Sequence, residues 1–278
     1  MNGDKNKNSK LTYSSDTSGK FLFMRHGQTW YNRNTDLSKR YNPDLCDAHL
    51  SDEGINQIKS IQEIINKLNL EKVYVSPYYR ALQTATIALE NHPNLEKIKI
   101  IVHPKISEVV CGAHDFIFDI KKTKKDFNMN SKVKIDWSYF DKYVKTSNYE
   151  ENFIYFENID LLDEKEKNEE YFKLKNLYDE NDSKEGYKKE LKRFLEEKNK
   201  IKFKYESLKH PYKRFEEFKE YLINEHKDTI NDNSKKVLCI SHNIFISTAI
   251  IPKQDLYNEN SKLNLHKLKN GEIITFFI

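Results

Sequence analysis

Five short apolar runs separated by helical patterns constrain this chain more than any other feature. FLFM (21–24), VYV (73–75), IKIIV (98–102), VLCI (237–240) and IITFFI (273–278) read as strands buried on both faces. Between the first two, LSDEGINQIKSIQEIINKLN sets Ile55, Ile58, Ile61, Ile65 and Leu68 on one face at helical spacing. Ser51 suits its N-cap, and Asp52 and Glu53 suit the positive end of the dipole. SPYYRALQTATIAL predicts a second helix, with Ser76 as cap and Pro77 in the first turn. HPYKRFEEFKEYLINEH predicts a third, with Phe215, Phe218 and Leu222 on one stripe. Such alternation implies a doubly wound three-layer α/β/α fold with a mostly parallel central sheet.

Two stretches depart from the pattern. Residues 1–19 are polar and predict a loose N-terminal arm. Residues 116–205 mix charge runs with aromatic clusters and predict a charged, partly helical insertion into a single domain over 20–278. The insertion reads either as a solvated elaboration or as a lid. The apolar run at 273–278 can pair between subunits or lie inside the sheet, so the sequence commits to no oligomeric state.

Charge and cysteine usage exclude several classes. Forty-seven basic and 43 acidic residues leave a net charge of +4, and the two signs are interleaved, so no nucleic-acid-binding face is predicted. No apolar run approaches the ~18 residues of a membrane helix. Cys46, Cys111 and Cys239 are scattered and form no CxxC pair, which argues for reduced thiols and against a disulfide frame or a zinc site. The polar start contains no apolar signal core, and the expected location is the cytoplasm.

In an open α/β sheet, ligands bind beyond the carboxyl ends of the strands. Arg25 and His26 follow the first predicted strand, Arg80 opens the helix after the second, Glu108 follows the third, and His242 follows VLCIS. Singly, each is an ordinary surface or core residue; together they form one chemistry. Two guanidiniums match phosphate oxygens as planar forks. One neutral imidazole can attack phosphorus, and a second, if protonated, can stabilise the equatorial oxygens. A neutral Glu can protonate the leaving alkoxide, and its carboxylate can then activate water. No metal is required. His49, His103 and His226 read as structural; His114 is borderline because it lies close to Glu108.

These residues resemble the histidine phosphatase superfamily, in its phosphoglycerate mutase-like branch. FMRHGQTWYN is similar to its phosphohistidine motif, followed in order by LSDEGINQ, VSPYYRALQTA, Glu108 with Gly112, Glu206 with Ser207, and VLCISHN; 116–205 matches nothing. The resemblance implies His26 as the phosphorylated nucleophile, Arg25, Arg80 and His242 as the phosphate pocket, Asn32 as an accessory substrate contact, and Glu108 as proton donor and acceptor. Gly27 is then expected where the backbone turns tightly.

Two departures matter. Asn243 follows the second histidine, where the family commonly has a small residue. Cofactor-dependent mutases carry a Glu-Arg-His-Tyr-Gly run near the acid, whereas SEVVCGAHDF supplies no Arg or Tyr for a second phosphate. The expected activity is therefore metal-independent phosphomonoester hydrolysis, on a small phosphorylated metabolite or a phosphoprotein, without a cofactor. The alternatives are mutase-type transfer, with 2,3-bisphosphoglycerate as cofactor, and a catalytically silent binding or scaffold protein of the same fold.

Overall fold

Side-chain parity along β2 (Phe21–Arg25) divides the molecule into layers. Leu22 and Met24 enter one core, with Leu50, Ile58, Val73, Val75 and Leu82, while Phe21 and Phe23 enter the other, with Phe215, Phe218, Leu222 and Phe245. Neighbouring strands repeat this division, Leu238 and Ile240 facing one core and Val237 and Cys239 the other. Each fully buried Phe or Leu contributes roughly 1.5–3 kcal/mol. A sheet apolar on both faces needs a helical layer on each, and it has both.

The computed structural model describes residues 12–33, 45–109, 113–115, 117, 120–129, 131–147, 208–251 and 267–278. The remaining strands are β1 (Thr12–Ser14), β3 (Leu70–Val75), β4 (Lys99–Val102), β5 (Ile135–Asp136), β6 (Lys236–Ser241) and β7 (Ile273–Phe277), in the order β1-β7-β2-β6-β3-β4-β5. The β2–β6, β3–β6, β3–β4 and β4–β5 pairs are parallel, and β7 runs antiparallel to both β1 and β2. The apolar run at 273–278 is thus enclosed by two strands. The helices are α1 (Trp30–Arg33), α2 (Asp52–Ser60), α3 (Gln62–Asn66), α4 (Tyr79–Leu89), α5 (Ile120–Met129), α6 (Ser138–Ser147), α7 (Lys209–Glu225) and α8 (Asn243–Thr248). Among the described residues, no helix is long and apolar enough to cross a membrane.

The first expected helix forms as two, broken at Ile61, and Ser51 Oγ caps it by accepting the Gly54 N–H at 3.1 Å. Three expectations are corrected. Thr12–Ser14, inside the predicted loose arm, is a strand, because β7 offers it an edge to pair with. The described residues from 117 to 147, assigned from sequence to an insertion, belong to the main core: Ile117, Ile120, Phe127, Trp137 and Phe140 are buried there, and β5 pairs with β4. The rest of that expected insertion, 116, 118–119, 130 and 148–205, lies outside the described residues. Finally, α4 begins at Tyr79 rather than at Pro77. Its Tyr79 N–H is satisfied by Asp47 Oδ1 at 2.9 Å, because Ser76 is used elsewhere.

Candidate active site

β2 and β6 end side by side, with Arg25 opposite Ser241 in the register, so His26 and His242 leave the sheet together. Their ring centroids are 5.0 Å apart, edge to face. His26 N–H donates to Ser241 O at 3.0 Å, which fixes the step off the strand. The segment that follows His26 is then pressed against α2. A Cβ on Gly27 would lie 2.9 Å from Gly54 O, and one on Gly54 would lie 2.0 Å from Gln28 O. Glycine is needed at 27 for close approach, not for the tight turn expected from sequence; among the described glycines only Gly271 has positive φ.

His26 Nδ1 donates to Gly27 O at 2.7 Å, which leaves Nε2 with the lone pair. Among the described residues, His26 Nε2 makes no hydrogen bond. Burial, reinforced by the charges of Arg80 and Arg25, holds this imidazole well below its usual pKa, so it is neutral. Arg25 Nη1 donates to Leu268 O at 2.6 Å. Leu268 is itself positioned by Asn243, whose Oδ1 accepts the Leu268 N–H at 2.9 Å. The unusual residue after the second histidine therefore helps to hold Arg25. Asn270 Nδ2 donates to His26 O at 2.9 Å and ties the same segment to His26.

Arg80 is buried and spends its fork on three partners: Nε on His242 Nδ1 at 3.2 Å, Nη1 on His114 O at 2.7 Å, and Nη2 on Asp115 Oδ1 at 2.9 Å. Burial is the largest influence and opposes its charge, but Asp115, Tyr78, Glu108 and Asp47 together outweigh it and raise its pKa. The Tyr78 ring centre lies 4.3 Å from its guanidinium carbon. His242 Nε2 faces Ser76 Oγ at 2.7 Å. With Nδ1 accepting from Arg80, His242 carries its proton on Nε2 and is neutral; burial, then Arg80, holds its pKa well below the usual value. The protonated second imidazole considered from sequence is thus replaced by a neutral one. A cation there would face the buried guanidinium of Arg80.

Glu108 is buried, and burial with Asp115 nearby pushes its carboxyl up to about 6. Oε1 accepts the N–H groups of Val109 at 2.9 Å and Phe245 at 3.1 Å, whereas among the described residues Oε2 has only Ile244 N–H at 3.4 Å. Oε2 is the freer oxygen and the one suited to carry a proton.

Arg25, His26, Arg80, Glu108 and His242 are all buried at the carboxyl rim. Asn32 is exposed, and its Oδ1 accepts the Thr29 N–H at 3.2 Å, a local tie that does not join it to the buried set. Gly112, Glu206 and Ser207 of the sequence resemblance lie outside the described residues. Sequence reasoning missed Asp115 and Ser76, which orient Arg80 and His242. Asp115 had a weak signal as an acid seven residues after Glu108; the Leu268 carbonyl had none, being backbone. His114 contributes its carbonyl to Arg80, and its ring stacks on Tyr31 at 3.5 Å. His49 stacks on Tyr79, and His226 pairs with Glu71. The two guanidiniums suit phosphate oxygens; among the described residues, no group of three or more His, Cys, Asp or Glu is arranged to hold a metal ion.

Residues 21–138 match the family model of the histidine phosphatase superfamily, branch 1. The fructose-2,6-bisphosphatase TIGAR B of Danio rerio is 34% identical over 85 residues, 31% of this chain and 32% of that protein. The 2,3-bisphosphoglycerate-dependent phosphoglycerate mutase of Chlamydia pneumoniae is 33% identical over 90 residues, 32% of this chain and 37% of that protein. The chain thus matches about a third of the length of these curated relatives. Among solved structures, a mycobacterial glucosyl-3-phosphoglycerate phosphatase is 14% identical, with 92% of this chain and 89% of that one covered and a TM-score of 0.47. Phosphoserine phosphatase from Entamoeba histolytica is 18% identical, with 92% and 88% covered and a TM-score of 0.43.

Proposed function

The chain belongs to the histidine phosphatase superfamily, and from that premise we propose that it is a phosphomonoester hydrolase working through a phosphohistidine at His26. The observation that carries this reading is the tautomer of His26: Nδ1 is spent on Gly27 O at 2.7 Å, so the lone pair sits on Nε2 beside Arg25 and Arg80. A buried, neutral imidazole flanked by two fixed cations is prepared to attack phosphorus.

In the first half-reaction His26 Nε2 forms a bond to phosphorus while the ester P–O bond breaks. Glu108 passes the proton on Oε2 to the departing alkoxide. In the second, the Glu108 carboxylate takes a proton from water as its oxygen attacks phosphorus. The P–N bond breaks, releasing inorganic phosphate and restoring neutral His26 and protonated Glu108. Arg25 and Arg80 balance the phosphoryl charge throughout. No step calls on a metal ion, and the substrate class is a small phosphorylated metabolite or a phosphoprotein.

Mutase-type transfer is the second reading, favoured by the phosphoglycerate mutases among the relatives. Against it, residues 107–116 offer no Arg or Tyr to hold a second phosphate. The two separate by product. Wild-type protein quenched during turnover with a labelled phosphoester should carry acid-labile phosphate that His26→Ala lacks. Label released as inorganic phosphate, with chelator present, supports the hydrolase. Label moved to a second hydroxyl supports the mutase. An equal label on His26→Ala would sink both.

A further inference from the structure

Arg214 is a buried guanidinium that the reaction above does not use. It projects from α7 beneath the segment that ends in Glu108. Nη1 donates to Ser107 O at 2.8 Å and Lys105 O at 3.3 Å, and Nη2 donates to Glu108 O at 3.3 Å. Its guanidinium carbon lies 5.5 Å from the Phe245 ring centre. Phe245 is the residue whose N–H holds Glu108 Oε1 at 3.1 Å.

One fork therefore reaches both supports of the same carboxyl: the backbone that carries Glu108, and the residue that grips its oxygen. A rigid planar donor can hold several carbonyls at once, and a lysine cannot reproduce that geometry. From the sheet side, Ser241 Oγ donates to Ile106 O at 2.7 Å, so the segment is pinned between α7 and the strand that delivers His242. A carboxyl must be aligned closely with the leaving oxygen to transfer a proton, and a displacement of about 1 Å is enough to cost ~10²-fold.

We propose that Arg214 is a positioning residue for Glu108, locking the carbonyls of 105–108 and the Phe245 ring together so that Oε2 stays aimed at the leaving oxygen. The inference rests on the reading of Glu108 as general acid. A tie that merely fastened α7 to the sheet would affect all substrates alike; a positioning role is felt where the leaving group needs its proton.

The test compares hydrolysis of p-nitrophenyl phosphate, whose leaving group needs little protonation, with that of an unactivated alkyl phosphate. Arg214→Met in the full chain should lower kcat/KM on the alkyl ester, which reports transfer to His26 and not the later water step that Glu108 also serves, by ~10-fold or more, within the ~10²–10⁴ that a general acid supplies. Its kcat/KM on the aryl ester should fall by less than ~3-fold, because Arg25 and Arg80 are untouched. Arg214→Lys keeps charge and bulk and guards against misfolding; it should show the same bias with a smaller loss. In a Glu108→Gln background, Arg214→Met should add less than ~3-fold, since the proton it aligns is gone. Equal losses on both esters, or the full loss repeated in the Glu108→Gln background, would overturn the positioning role alone. Glu108→Gln showing no bias toward the alkyl ester would remove the acid reading and this inference together.

Discussion

Arg80 and His242 meet through Nε and Nδ1 at 3.2 Å, so the second imidazole of the rim is an acceptor toward a permanent cation. Its proton then sits on Nε2, donated to Ser76 Oγ at 2.7 Å. Burial and the Arg80 charge both act against protonation. Long-range ¹H–¹⁵N NMR on histidine-labelled protein should show His242 as the neutral Nε2–H tautomer from about pH 5 to about pH 8, across the range where a free imidazole titrates. An imidazolium signal for His242 in that range would contradict the geometry.

In the proposed mechanism the acid limb and the basic limb of activity belong to different residues. There Glu108 acts protonated, and its carboxyl is pushed up to about 6, mainly by burial. His26 acts neutral in that mechanism, and its pKa is held well below the usual 6.5. Raising the pH above 6 removes the Glu108 proton, so kcat/KM on an alkyl phosphate should fall about tenfold per pH unit there. Lowering the pH protonates His26 only well below its ordinary range, which leaves an acidic working window. Glu108→Gln cannot ionise, and its profile should lose the basic limb attributable to this group. A basic limb of full steepness on the mutant would assign that titration to the substrate phosphate instead.

How much of this was legible in the sequence depends on what each contact is made of. The buried strands were, because continuous apolar runs leave few other homes; so was the convergence of Arg25, His26, Arg80, Glu108 and His242, because it follows from strand ends sharing one rim. β1 and β5, of three and two residues, carry no pattern of their own and form by pairing with β7 and β4. Ser76 illustrates the other limit. Its local sequence suits a helix cap, but a tertiary partner, His242, takes its hydroxyl and leaves the cap to Asp47. Arg25 is held by a backbone carbonyl at Leu268, a partner no residue type announces.

Asp115 is expected to matter to both stability and pH response. Its carboxylate is buried against Arg80 at 2.9 Å. Removing one partner of a buried pair typically costs about 3–5 kcal/mol, because the other charge is left uncompensated. Asp115→Asn keeps the acceptor but not the charge, so its melting temperature should fall, and inorganic phosphate should restore more stability to it than to wild type. Asp115 also helps to raise Glu108, so the basic limb should move to lower pH in the variant. Melts indistinguishable from wild type, with and without phosphate, would show that Arg80 does not depend on this partner.

Asp47 offers a test on stability alone. Burial pushes its carboxyl from 3.8 up to about 7, and Oδ1 accepts the Tyr79 N–H at 2.9 Å at the start of α4. A folded-state pKa above the unfolded one gives a contribution that is complete below about pH 4 and is lost as the pH rises through about 7. The folded protein therefore carries an increasing penalty between those values, which levels off above 7. Asp47→Asn keeps the acceptor and removes the charge. Its backbone has φ of 46°, a left-handed conformation that Asn tolerates as Asp does, so the replacement adds no strain. Denaturant unfolding should show the variant close to wild type at pH 4 and more stable at pH 8, by up to about 4 kcal/mol. A difference that does not grow with pH would mean that Asp47 is solvated well enough to ionise in place.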